Sequence, residues 1–173
     1  MPSVDHGDLL RHMEWADART WSAALAVPSL LQDAKMLERL LHYHTTQWAY
    51  LEIWRHQPVT ILPPSAFADL KALGRRVRGF YDALPSFLRG LNDEILAQSI
   101  DFPWVEQLEK RFGKVTPATL AESVLQLVLH TAHHRGQVVT KISEAGGHAP
   151  LVDYIAWVWM GRPDPDWGGI GGE

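Results

Sequence analysis

The chain contains no cysteine, which removes disulfides and thiolate metal ligands together. No run approaches the ~18 apolar residues of a membrane span. The opening residues, MPSVDHGDLL, lack the basic stretch followed by an apolar one that marks a secretion signal. No membrane partner is therefore expected, and a cytoplasmic location follows as the default. An excess of positive charge is missing as well: the formal net charge is −4, so no overall basic field favours nucleic acid. Internal repeats are absent and strand-like alternation is scarce.

What remains has the composition of a soluble globular protein, 46% hydrophobic and 21% charged over 173 residues. That length suits one domain and buries about 70% of the surface of the unfolded chain. Folding then needs no structural metal, so any metal bound is free to serve chemistry. Eight tryptophans and nine histidines are the unusual counts. Eight tryptophans exceed what one small core readily absorbs, which leaves apolar surface for a partner and suggests a homodimer.

Punctuation divides the chain into long helical stretches. The first runs from about Val4 to Ala26 and ends before Pro28. The second runs from about Gln32 to Arg55, with Leu37, Leu40, Leu41, Trp48, Leu51 and Trp54 as a broad apolar stripe, and stops before Pro58 and Pro63-Pro64. A third starts near Ser65 and carries Phe67, Leu70, Leu73, Val77, Phe80, Tyr81 and Leu84, with Pro85 placed to kink or divide it. Residues 99–115 are mixed, either two short strands or an irregular crossover. The fourth long helix is read from Thr116 as N-cap and Pro117 at the first helical position to Gly146-Gly147. A short helix follows over Tyr154 to Met160. The expected fold is all-α, an antiparallel four-helix bundle over 1–162 with a flexible tail over 163–173.

The chemistry concentrates in His130-Thr131-Ala132-His133-His134-Arg135-Gly136-Gln137. His130 and His134 stand one helical turn apart on one face, a spacing that lets two imidazoles reach one metal at about 2.0–2.1 Å. Leu127, Val138 and Ile142 lie on or beside that face, so the pair is expected to point toward the bundle interior. His133 points about 100° away, to solvent or the outer shell. A third ligand must come from elsewhere. The second helix offers His42 and His44, two apart and facing nearly opposite sides. Periodicity leans to His44, which sits in the apolar stripe; His42 lies at its edge, where a cleft could be. Spacing leaves the choice open.

The chain resembles the DinB/YfiT-like family of four-helix-bundle metalloenzymes over nearly its whole length. RHMEWADARTW is similar to that family's opening helix, HTAHHRGQV to its HxxxHRGQ signature, and Gly146 to Tyr154 to its glycine, proline and aspartate turn. The resemblance implies three histidine ligands, one on the second helix and two in the HxxxH. In the family the second-helix ligand precedes an aromatic by eight positions, with an aliphatic next. His42 meets this with Tyr50 and Leu51, whereas His44 would place Glu52 there. The resemblance therefore assigns the metal to His42, His130 and His134, against the lean of the periodicity.

Three neutral imidazoles leave a coordination position open, the pattern of a catalytic rather than a closed structural metal. Zn, Ni or Fe would each suit such a site. The resemblance implies a metal-dependent transferase acting with a low-molecular-weight thiol on a small-molecule substrate, with a hydrolase as the neighbouring possibility. The competing expectation is a non-catalytic stress-response or interaction bundle whose metal is structural or vestigial. A di-iron carboxylate centre falls well behind, because its Glu-x-x-His motifs do not occur. No general base or nucleophile stands out.

Several neighbours carry secondary expectations. Arg135 is read as a structural ion pair before a substrate carboxylate binder, Gly136 as permitting close helix approach, and Gln137 as a group orienting a ligand. Asp153 is read as packing in its turn. Lys71, Arg75, Arg76 and Arg78 form a basic patch expected to be a solvated helix face.

Overall fold

The computed structural model describes residues 5–168 and residue 170; the expected start at Val4 lies outside them. Helix α1 spans His6–Leu25, α2 Ala34–Trp54 and α3 Leu70–Leu88. A short α4 (Asp93–Leu96) leads to β1 (Ser99–Ile100), α5 (Val105–Phe112) and β2 (Ala118–Thr119). The longest helix, α6, spans Leu120–Glu144, and α7 spans Tyr154–Trp159. The protein is an all-α bundle of α1, α2, α3 and α6. None of the described helices is long and apolar enough to cross a membrane.

Each long helix begins at a side chain that accepts a hydrogen bond from an otherwise orphaned backbone N–H. Asp5, Asp33 and Asp69 cap α1, α2 and α3. At α6 the cap is Thr119, not the expected Thr116. Thr119 and Glu122 form a reciprocal capping box, which satisfies two donors where Pro117 merely removes one. Residues 118–119 instead pair with 99–100, Ser99 opposite Thr119. The mixed segment is thus a crossover that holds one strand, β1, and an unforeseen helix, α5; the partner strand β2 lies beyond it, in what was read as the start of the fourth helix. Pro85 does not divide α3, because it lies in the last turn, where few following bonds depend on it. Gly146 ends α6 in the left-handed region at φ 82°.

Neighbouring helices are α1–α6, α6–α2, α2–α3 and α3–α1. Their side-chain contacts give the directions. Lys141 meets Asp33, and Trp54 meets Ser123, so α2 and α6 are antiparallel. Trp48 Nε1 donates to the Arg76 carbonyl, while Trp54 stacks on Phe87, so α2 and α3 run the same way. The purely antiparallel arrangement is therefore corrected for this pair and for α1–α6, where Asp17 meets Arg135 and Val27 lies against Gly147. The 55–69 connection makes the shared direction of α2 and α3 possible: 15 residues can reach about 50 Å, more than the ~30 Å length of either helix.

The core is continuous, with Trp21, Leu40, Tyr43, Val77, Phe80, Val124, Leu127 and Val138 all within 2% of complete burial. The bundle absorbs most of its tryptophans. Trp15, Trp21, Trp54, Trp157 and Trp167 are buried, and only Trp159 is largely in solvent, at 79% exposure. The surplus expected to seek a partner is thus mostly inside. Residues 163–173 were expected to be a flexible tail, and residues 163–168 and 170 of it are described. Trp167 packs on Tyr81 and donates its indole N–H to Glu14, and Ile170 sits against Gly74. Residues 169 and 171–173 lie outside the described part.

Candidate metal centre

Helix α2 presents His42, and α6 presents His130 and His134 one turn apart. Because the two helices are antiparallel neighbours, the rings meet across their groove. Ring centroids are 4.4 Å apart for His42 and His134, 4.3 Å for His130 and His134, and 5.6 Å for His42 and His130. Each ring offers one nitrogen, and these nitrogens all lie within 4.8 Å of one another. The group could hold a metal ion.

The side chains fit that use. His130 Nδ1 is buried and has no hydrogen-bond partner, a costly state for a polar atom that a bound cation would relieve. His134 Nδ1 donates to Gln137 Oε1 at 3.0 Å, which leaves its Nε2 lone pair free. Burial, reinforced by the neighbouring rings of His134 and His42, pulls His130 down to about 4. His42 is lowered by burial and by His134, against the opposing pull of Glu38. Both rings are therefore neutral near pH 7, the form that binds metal.

The cluster lies at the rim of the bundle rather than in its interior. His42 is exposed, and His130 and His134 are half-buried. On α6 the truly inward row is Leu127, Thr131, Arg135, Val138 and Ile142; the two histidines flank it. A cavity of about 450 Å³ opens beside them, lined by Lys35, Glu38, Arg39, His42, His134 and Gln137. Lys35, Glu38 and Arg39 stand seven, four and three residues before His42, on the same helical face. That spacing was the available signal for them, and the sequence reading did not use it.

His44, favoured by periodicity, is in the core and away from the cluster. It is 2% exposed, accepts from Trp21 Nε1 at 2.9 Å on Nε2, and donates from Nδ1 to Gln47 Oε1 at 2.7 Å. Burial pulls it down to about 4, against the Asp17 carboxylate. Gln47 Nε2 in turn donates to Asp17 at 2.8 Å, Tyr81 Oη donates to Asp17 at 2.5 Å, and Arg135 pairs with it at 2.8 Å. Arg135 is thus an ion-pair partner, as read.

The remaining neighbours divide. His133 is exposed and accepts from the Gln137 amide at 3.3 Å. Gly136 does not permit close helix approach: a Cβ there would meet open space. Asp153 is exposed at the start of α7 and makes no side-chain cap. In the basic patch, Arg78 pairs with Asp82 at 3.1 Å and Arg76 lies over Trp48, while Lys71 and Arg75 face solvent.

An all-α bundle with a solvent-open group of three histidines suited to a metal is thus the class that fold and site define. A sequence model of the DinB family matches residues 1–165, and the chain belongs to that family. Searches among curated proteins and solved structures returned no match.

Proposed function

We propose that the chain is a metal-dependent enzyme of the thiol-transfer type, with His42, His130 and His134 as ligands of one divalent ion. The observation that carries this reading is the cluster's position at an open rim beside a cavity, where a substrate can reach a free coordination position. A sealed site would have favoured a non-catalytic bundle. When bound, such an ion supplies Lewis acidity, lowering the pKa of a thiol or water beside it.

The chain's own residues do the rest. The Gln137 carbonyl oxygen fixes the His134 tautomer and turns Nε2 toward the cluster. Arg39 is tethered by donating to the Gln137 backbone carbonyl at 2.9 Å, which joins the two walls of the cavity. Lys35 and Arg39 give that cavity two cations against the single carboxylate of Glu38, suited to a thiol carrying a carboxylate. The Asp17–Arg135 pair locks the rotation of α6, and so the aim of His130 and His134.

The test is conjugation of 1-chloro-2,4-dinitrobenzene to a panel of carboxylated and uncharged low-molecular-weight thiols, using protein loaded with Zn, Ni or Fe. Metal-dependent acceleration that disappears in His134→Ala is expected. Metal-loaded protein that accelerates no thiol in the panel would remove the proposal.

A further inference from the structure

A second cavity lies not on the histidines but further along the same groove. It measures about 790 Å³, within the range of small-molecule sites, and is walled by Tyr50 from α2, by Phe102, Trp104 and Leu108 from the crossover, and by Ser123 and Gln126 from α6. Three of these rings form one cluster, with centroids 5.4 Å apart for Tyr50 and Phe102, 5.3 Å for Phe102 and Trp104, and 6.2 Å for Tyr50 and Trp104.

A smaller cavity of about 290 Å³ shares lining residues with this region and is also lined by a histidine of the cluster. Its lining includes Tyr50 and Trp104 at one side and His130 at the other, with Thr46 and Ala49 between. On α2, residues 42, 46, 49 and 50 lie along one face, and on α6 residues 130, 126 and 123 descend opposite them. Eight helical residues span about 12 Å, the length of a small elongated molecule. On the far side of the histidines the cavity beside Lys35 and Arg39 is charged. The groove is therefore charged at one end and carries an aromatic wall at the other, where Asp101, Glu109, Lys114 and Glu122 also line the cavity, with the donor cluster between.

We infer that the crossover cavity is the subsite for an aromatic or apolar portion of the molecule processed at the histidines, and that Tyr50 and Trp104 determine specificity for it. This rests on the reading of the histidine cluster as the reaction centre. In a conjugation the thiol occupies the charged side, and the electrophile's ring the aromatic side.

The test uses the full chain, metal-free and metal-loaded, with N-phenyl-1-naphthylamine as fluorescent probe. Gln126→Trp puts a large side chain into the cavity from an exposed helix position, and Trp104→Ala removes one wall. Moving one aromatic ring from water to an apolar site changes affinity by roughly 10–100-fold. Each variant should weaken the probe at least about tenfold, with metal content unchanged, while Trp159→Ser on the exposed face of α7 should leave it alone. On loaded protein 6-phenylhexane-1-thiol should displace the probe more strongly than hexane-1-thiol. Probe binding that ignores Gln126→Trp and Trp104→Ala, or that follows Trp159→Ser, overturns the inference. Equal displacement by the two thiols overturns it as well. Probe binding as expected in a protein that takes up no metal would instead overturn the reading of the histidines.

Discussion

Asp17 and Arg135, 118 positions apart in sequence, meet at 2.8 Å inside the bundle with 0% and 4% of their side chains exposed. Tyr81 and Gln47 complete the carboxylate's hydrogen bonds. Removing one member of such a pair strands the other charge in a dry interior, which costs about 3–5 kcal/mol. Arg135→Met should lose that much in urea unfolding. The double variant with Asp17→Asn should recover part of it, since no lone charge is left. A loss below about 1 kcal/mol for the single variant would show that the ion pair contributes little.

The choice between His42 and His44 has a direct readout in elemental analysis. His42→Ala and His134→Ala should each lose bound metal. His44→Ala should keep it but fold less stably, because the Trp21 indole N–H and the Gln47 carbonyl oxygen lose their partner, at about 1–3 kcal/mol for each buried group left unsatisfied. Metal retained by His42→Ala would break the assignment.

The contrast between these two residues shows what was legible in the chain. Periodicity found the more buried ring, His44, correctly. Burial, however, does not select the ring that joins His130 and His134, since that group lies at a rim; only the register with Tyr50 and Leu51 pointed to His42. Helix faces were readable because Leu and Trp recur at helical spacing, but the shared direction of α2 and α3 was not, since a face pattern carries no direction. Thr119-x-x-Glu122 is a capping box in the sequence itself and outcompetes the Thr-Pro just before it, because it satisfies two backbone donors. Arg135 was readable as one half of an ion pair but its partner Asp17, on another helix, was not, and the glycine-rich composition after Pro163 hid Trp167 and Ile170 as anchors.

Those anchors give a third expectation. A Cβ at Gly74 would lie 2.9 Å from Ile170 Cγ2 and 3.5 Å from Trp21, so Gly74→Ala must displace the chain end or strain the core, at about 1–3 kcal/mol. Ending the chain after Asp166 removes Trp167 from the face of Tyr81 and should cost about 3 kcal/mol. Thermal unfolding of the two variants checks this; an unchanged midpoint for the shortened chain would mean that the segment adds nothing to stability.

Gln137 is expected to tune the metal rather than bind it. Gln137→Ala frees His134 Nδ1 and allows the ring to turn, and loss of such a support typically costs 10–100-fold in metal affinity. Competition with a chelator should show a drop of that size at unchanged stoichiometry of one ion. Unchanged affinity would mean that the 3.0 Å contact does not orient the ring.

The last prediction concerns acid. His44 is held at about 4 in the folded bundle by burial, against about 6.5 in the unfolded chain. Above pH 6.5 neither state is protonated and the residue contributes no pH dependence. Between 6.5 and 4 the unfolded chain takes up a proton that the folded one refuses, so stability falls as pH drops. Over the full window the loss from this residue is about 3 kcal/mol. His12, His42 and His130 are lowered in the same direction, each mainly by burial, so the whole decline should be steeper than His44 alone gives. Urea unfolding of metal-free protein at pH 7.5, 6.5, 5.5 and 4.5 should show it, with a shallower slope in His44→Gln. An identical slope in that variant would mean that His44 carries its proton equally in both states, which the Trp21 indole N–H donating to its Nε2 opposes.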